Sequence, residues 1–261
     1  MKVDIQITGI KELMSKMTDP EKKQMPFAMA KALTKTAQQI KAEEVKVMSA
    51  SLDRPTAYTL KSLYVKPATK KYLTSMVYFK DKSSAGKGNP AANWMHPQVQ
   101  GGKRNLKRFE SALRRIGVLP MGMYVAPGEA CLLDSHGNIP GSFIVQILSY
   151  LRAFGEQGYR ANITDKRKAS LKRGSKRNLG YEYFASKGKG EWYGRQQHLP
   201  AGIYKRVRFA AGSAIKPVMM FVKEPSYKKR FPFIETAQKI IDRNMRNNFN
   251  EATSDAIKTA K

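Results

Sequence analysis

Three histidines and one cysteine are the residues of this chain best suited to chemistry near neutral pH: His96, His136, His198 and Cys131. A zinc site gathers such donors at short, regular spacings, because several ligands must converge on one ion. Here the histidines are far apart, and none lies four residues from another or beside a Cys and His cluster. Cys131, Asp134 and His136 are neighbours, yet a nucleophile and a base within one turn of chain rarely face each other. Cys131 is therefore expected to be a small core residue, and one cysteine forms no intrachain disulfide. No carboxylate cluster suited to metal-assisted hydrolysis stands out. The chain is expected to have no catalytic residue, no cofactor and no metal.

Three short motifs invite functional readings and are assigned structural ones. Gly202, Ile203 and Tyr204 spell the opening of a homing-nuclease motif but lack the companion triplet, so they read as the start of a strand. The stretch Asp134, Ser135, His136, Gly137, Asn138 is similar to a nuclease loop without a following metal-ligand His, and reads as a turn. Lys187, Gly188, Lys189, Gly190 lacks the spacing and the preceding apolar strand of a phosphate loop.

The chemistry that does stand out is electrostatic. Residues 160–195 hold eleven Lys and Arg against three acids, with Tyr181, Tyr183, Phe184, Trp192 and Tyr193 between them. So dense a charge repels itself in a compact body, which implies a polyanionic neighbour or a solvated loop. Lys166, Arg167, Lys168, Lys172, Arg173, Lys176 and Arg177 are the candidate polyanion contacts. Spread around Gly174 and Gly180, they suit backbone phosphates rather than base reading, while the aromatics either stack on bases or pin the segment down. Binding of this kind is non-specific and strongly salt-dependent.

The whole chain agrees in sign. Its 261 residues carry a net charge of +28, from 48 basic and 20 acidic side chains, so phosphate-rich partners come first. A hydrophobic content of 41% supplies a real core, in one large domain or two. The first residues alternate rather than forming an apolar leader, and the longest strongly apolar run, 218–222, is far too short to span a membrane. A soluble protein without membrane contact is expected.

Period and punctuation predict the elements that position these residues. Val3, Ile5 and Ile7 alternate as a strand; Gly9 turns the chain into a short helix around Leu13 and Met17. Thr18 and Glu21 form a capping-box pattern before a long helix whose stripe runs through Phe27, Ala30, Leu33, Ala37, Ile40, Glu44 or Val45, and Met48. Strands are expected at 63–66 and 72–79, a loop over 81–102 anchored by Trp94 and Met95, and a helix over 103–116. Further on, short strands are expected at 123–125 and 130–133, a helix at 143–154, and paired strands at 203–209 and 215–222, with Val218, Met220 and Val222 on one face. A closing amphipathic helix follows Pro232. The fold class is α+β: a mixed or antiparallel sheet packed by long N-terminal and C-terminal helices. One domain of residues 1–154 and 200–261 is expected to carry residues 155–199 as a basic insertion.

The opening, residues 3–10 followed by a long Ala- and Lys-rich helix, resembles the start of tailed-phage tail-completion and neck proteins. The turn Asn138, Ile139, Pro140, Gly141, Ser142, Phe143, Ile144 is similar to a segment of the lambda-type minor tail protein Z. The ending, with Phe231, Pro232, Phe233 and a terminal helix, resembles the close of those proteins. Gly101 and Gly102 through Phe109, Pro120, Pro127, Asp134, Gly137 and Asn138 also resemble proteins of phage structural-gene regions. The resemblance covers about the first 80 residues, 101–154 and about the last 60; residues 155–199 are longer than the family pattern.

The resemblance implies a virion protein of the neck or upper tail, assembled in the host cytoplasm and without enzymatic activity. It also implies a homo-oligomeric ring, expected to be a hexamer, around packaged double-stranded DNA, with other neck, portal or tail proteins as partners. The alternative is a non-specific nucleic-acid-binding protein with no place in a virion.

Overall fold

A computed structural model describes residues 2–6, 15, 18–81, 90–155, 161–188, 190–192 and 195–259. The expected short helix around Leu13 and Met17 lies outside the described residues, as do Ile7, Arg160, Lys189, Tyr193 and the side chains of Glu21, Trp192 and Arg195. In chain order the principal elements are β1 (Lys2–Gln6), α1 (Asp19–Ser51), α2 (Ala57–Leu60), β2 (Leu63–Lys66), β3 (Thr74–Phe79), α3 (Ala91–Gln100), α4 (Arg108–Arg115) and β4 (Met123–Pro127). They continue with α5 (Gly141–Tyr150), α6 (Asp165–Arg173), β5 (Tyr181–Ser186), β6 (Gly190–Trp192), β7 (Arg195–Gln197), β8 (Gly202–Phe209), β9 (Gly212–Lys223) and α7 (Phe233–Thr259). The fold is α+β, with antiparallel sheets.

The chain divides into two compact units, residues 1–104 with 227–261, and residues 105–226. This differs from the expected boundaries at 155 and 199. The basic segment is not a separate insertion, because its Tyr181–Ser186 stretch is a strand of the second unit's sheet. The charge density of the segment masks the alternation in that stretch, where Tyr183 is buried and Tyr181 packs on the same core.

In the first unit β3 lies between β1 and β2. Ile5, Leu63, Val77 and Phe79 from this sheet meet Leu33, Ala37, Ile40 and Met48 of α1 and Phe233, Ala237 and Ile240 of α7. The two long helices run antiparallel, as their contacts show: Lys31 pairs with Asp255, Lys35 with Glu251, and Asn248 donates to Thr36 and Gln39. Small residues let them approach closely: Ala28, Ala32, Ala252 and Ala256 are buried together with Met25 and Met29. Phe27, expected on the buried stripe, is instead 47% exposed under the ammonium of Lys70, and Glu44 occupies the buried stripe. Residues 91–100 of the expected loop are helical. Pro97 and the polar composition read as breakers, but Ala91, Met95 and Val99 fall on one face and are buried, so tertiary packing decides.

In the second unit the sheet order is β4-β9-β8-β5. Phe109 and Leu113 of α4, and Phe143, Ile147, Leu148 and Tyr150 of α5, share a core with Val125, Tyr183, Ile203, Met219 and Phe221 of the sheet. The helix expected over 103–116 is shorter. It starts where the buried Glu110 carboxylate accepts from the Lys107 amide at 2.7 Å and also from the Val125 amide at 2.9 Å. The strand expected at 130–133 does not form; the Gly128 and Ala130 amides bond back to Val218 and Pro217. Val218, Met220 and Val222 do not share the buried face: a register shift between Pro217 and Met219 buries Met219 and Phe221 and leaves Val222 exposed.

Candidate polyanion-binding surface

The basic segment begins as a helix that few apolar residues predict. Thr164 caps α6 by accepting from the Arg167 amide at 3.3 Å, and Asp165 lies in the first turn. Lys172 and Arg173 lie in the last turn, where cations complement the helix dipole. No residue of α6 is fully buried; Leu171 packs against the core and Asp165 pairs with Arg152.

Gly174 ends the helix with a φ of +76°, in the left-handed region that side chains rarely adopt. A tight turn then brings Gly174 opposite Leu179. A Cβ on Gly180 would stand 2.2 Å from the Lys172 carbonyl oxygen, and one on Gly174 would stand 2.5 Å from the Gly180 nitrogen. Backbone therefore lies directly on backbone. This turn presents Lys176 and Arg177 to solvent, and the Gly180 carbonyl accepts from the Arg208 amide at 2.9 Å.

The seven predicted cations lie in one unit but in three different situations. Lys168 is half-buried, with its ammonium 4.7 Å above the Tyr150 ring. Lys172 pairs with Glu182 at 3.1 Å. Lys166, Arg167, Arg173, Lys176 and Arg177 are exposed, and among the described residues none of these five has a carboxylate partner.

Glu182 is the acid on which the neighbouring cations converge. Its side chain is 15% exposed, and it also accepts from Arg206 at 3.0 Å and Arg208 at 3.3 Å. Burial pushes its carboxyl upward, but the bonds from Lys172, Arg206 and Arg208 outweigh that and hold it below the usual glutamate range. Arg206 and Arg208, with Lys205, come from β8, where the sequence predicts a strand but no contact. The signal was there, since Lys205, Arg206, Val207 and Arg208 form a basic run.

Arg167, Arg177 and Lys205 line an open groove of about 600 Å³ between α6, the 174–180 turn and β8. Ser170, Ser175 and Asn178 add polar groups, and Leu171, Leu179, Tyr181 and Val207 add apolar surface. The Lys205 ammonium lies 4.5 Å from the centre of the Tyr181 ring. The aromatics of β5 pin the segment down. Tyr183 is buried, Tyr181 contacts Tyr183 edge-on, and Phe184 stacks on Tyr204 beneath Arg206.

Of the other residues singled out for chemistry, Cys131 is half-buried rather than in the core. Asp134 accepts from the amides of Asn138 and His136 at 2.8 and 2.9 Å, and the Asn138 bond leads in holding its carboxyl below the usual range. Burial raises the Cys131 thiol, which lowers its nucleophilic fraction. Gly202, Ile203 and Tyr204 open β8 as expected, the Tyr204 hydroxyl donating to the Pro200 carbonyl at 2.9 Å. Among the described residues no three His, Cys, Asp or Glu are grouped to hold a metal ion, and no helix is long and apolar enough to cross a membrane. Compared with known protein families, with curated proteins and with solved structures, the chain matches none.

Proposed function

We propose that this chain is a structural protein of a tailed-phage virion, stationed at the neck or upper tail, where copies form a ring around the DNA path and join head to tail. It works by contact, not by catalysis. The observation that carries the DNA contact is the set of five exposed cations, Lys166, Arg167, Arg173, Lys176 and Arg177, that meet no carboxylate among the described residues. Unpaired charge held on a fixed helix and turn suits repeated, sequence-independent contact with phosphates. The station in the particle rests on the resemblance of residues 3–10, 138–144 and the closing helix to tail-completion and neck proteins.

Electron microscopy of the purified protein, with proteomics of phage particles, tests the reading. Closed rings and presence in the particle are expected. A protein that stays monomeric and absent from particles while binding duplex DNA overturns the virion reading in favour of a non-specific nucleic-acid-binding protein. Charge reversal at the five exposed cations is expected to impair DNA retention and infectivity; unchanged values would rule out the contact.

A further inference from the structure

We infer that the groove between α6, the 174–180 turn and β8 is a discrete phosphodiester site, in which Arg167, Arg177 and Lys205 hold a backbone phosphate of nucleic acid. The inference rests on the polyanion contact proposed above and narrows it to one place.

Three cations from a helix, a turn and a strand line the same groove, and among the described residues no carboxylate lines it. Gathering like charges costs free energy unless an anion joins them. The nearby acid of the sheet does not fill that role, because Glu182 is engaged by Lys172, Arg206 and Arg208. Leu171, Leu179 and Val207 supply an apolar wall beside the cations. Next to such a wall water screens less, so an anion there feels each cation more strongly than on an open surface. Two guanidinium forks match the paired oxygens of a phosphate, and the Tyr181 ring under Lys205 helps fix the third cation. The groove is open, which admits an anion that is part of a chain. Lys166, Arg173 and Lys176 are exposed in the same segment, so they would meet neighbouring phosphates of a continuous polyanion but would be unmatched by a lone carboxylate.

Two full-length variants with equal loss of charge test the site: Arg167→Gln/Arg177→Gln/Lys205→Gln and Lys166→Gln/Arg173→Gln/Lys176→Gln. Affinity for a short DNA duplex is read by fluorescence anisotropy at low salt, with circular dichroism and melting temperature as checks on folding. The groove variant is expected to weaken binding about tenfold or more, and the other less than about threefold. Equal losses overturn the groove site and leave the surface contact standing; no binding by the unaltered protein overturns both. Polyglutamate that displaces the duplex as well as an equal charge of polyphosphate does would overturn the assignment to phosphate. If the Lys205 change unfolds the protein, Arg167→Gln/Arg177→Gln against Lys166→Gln/Arg173→Gln repeats the comparison at exposed positions.

Discussion

Glu182 governs how much of the positive charge around it is free to act. It withdraws Lys172, Arg206 and Arg208 from solution, so Glu182→Gln releases three cations. Tighter duplex binding and a steeper salt dependence are expected, measured by anisotropy across a salt series. The same change is expected to lower stability by about 1–2 kcal/mol at neutral pH, read from denaturant unfolding. Because the folded carboxyl titrates below its ordinary value, this contribution is present above the unfolded pKa and is lost as pH falls through the folded one.

Glu44 is the opposite case. It is fully buried on α1, neither oxygen has a hydrogen-bond partner among the described residues, and burial, with smaller effects from Glu235 and Glu43, pushes it up to about 8. The folded state therefore holds a proton that the unfolded chain releases, so stability falls as pH rises from the ordinary glutamate range toward 8. The slope approaches about 1.4 kcal/mol per pH unit within that window. Urea unfolding across it should show the decline, and Glu44→Gln should flatten it; an unchanged slope would assign the effect elsewhere.

At the scale of elements, the 174–180 turn is the part most sensitive to a single methyl group. Gly180→Ala places a Cβ against the Lys172 carbonyl and is expected to destabilise by about 1–3 kcal/mol, measured by thermal unfolding, and to weaken duplex binding by displacing Arg177. The helix before it was hard to read from sequence because it is polar nearly all round, so it carries no apolar period. Its ends were more legible than its middle, since Thr164 and Asp165 at one end, and Lys172, Arg173 and Gly174 at the other, are start and stop signals. Helix α3 is illegible for the opposite reason, its apolar face being hidden among Pro and Asn.

At the scale of the molecule, the two cores share no residue: one is built from 5–99 and 231–240, the other from 109–221. Residues 105–226 are contiguous and contain the basic surface and the groove. Produced alone, they are expected to melt cooperatively and to keep most of the duplex affinity of the full chain. A fragment that fails to fold would show that its core depends on the rest.

Charge and the long terminal helices follow from the amino-acid sequence alone, because composition and a sustained apolar period are local properties of the chain. The α+β class follows from the same periods, and so does the membership of Lys166, Arg167, Lys172, Arg173, Lys176 and Arg177 in one basic tract. Only the tertiary structure decides which of them are free. Pairing of β5 with β8 brings Arg206 and Arg208 to Glu182 and places Lys205 beside Arg167 and Arg177. Whether a charge is paired or available depends on distances across a sheet, and no spacing along the chain encodes them.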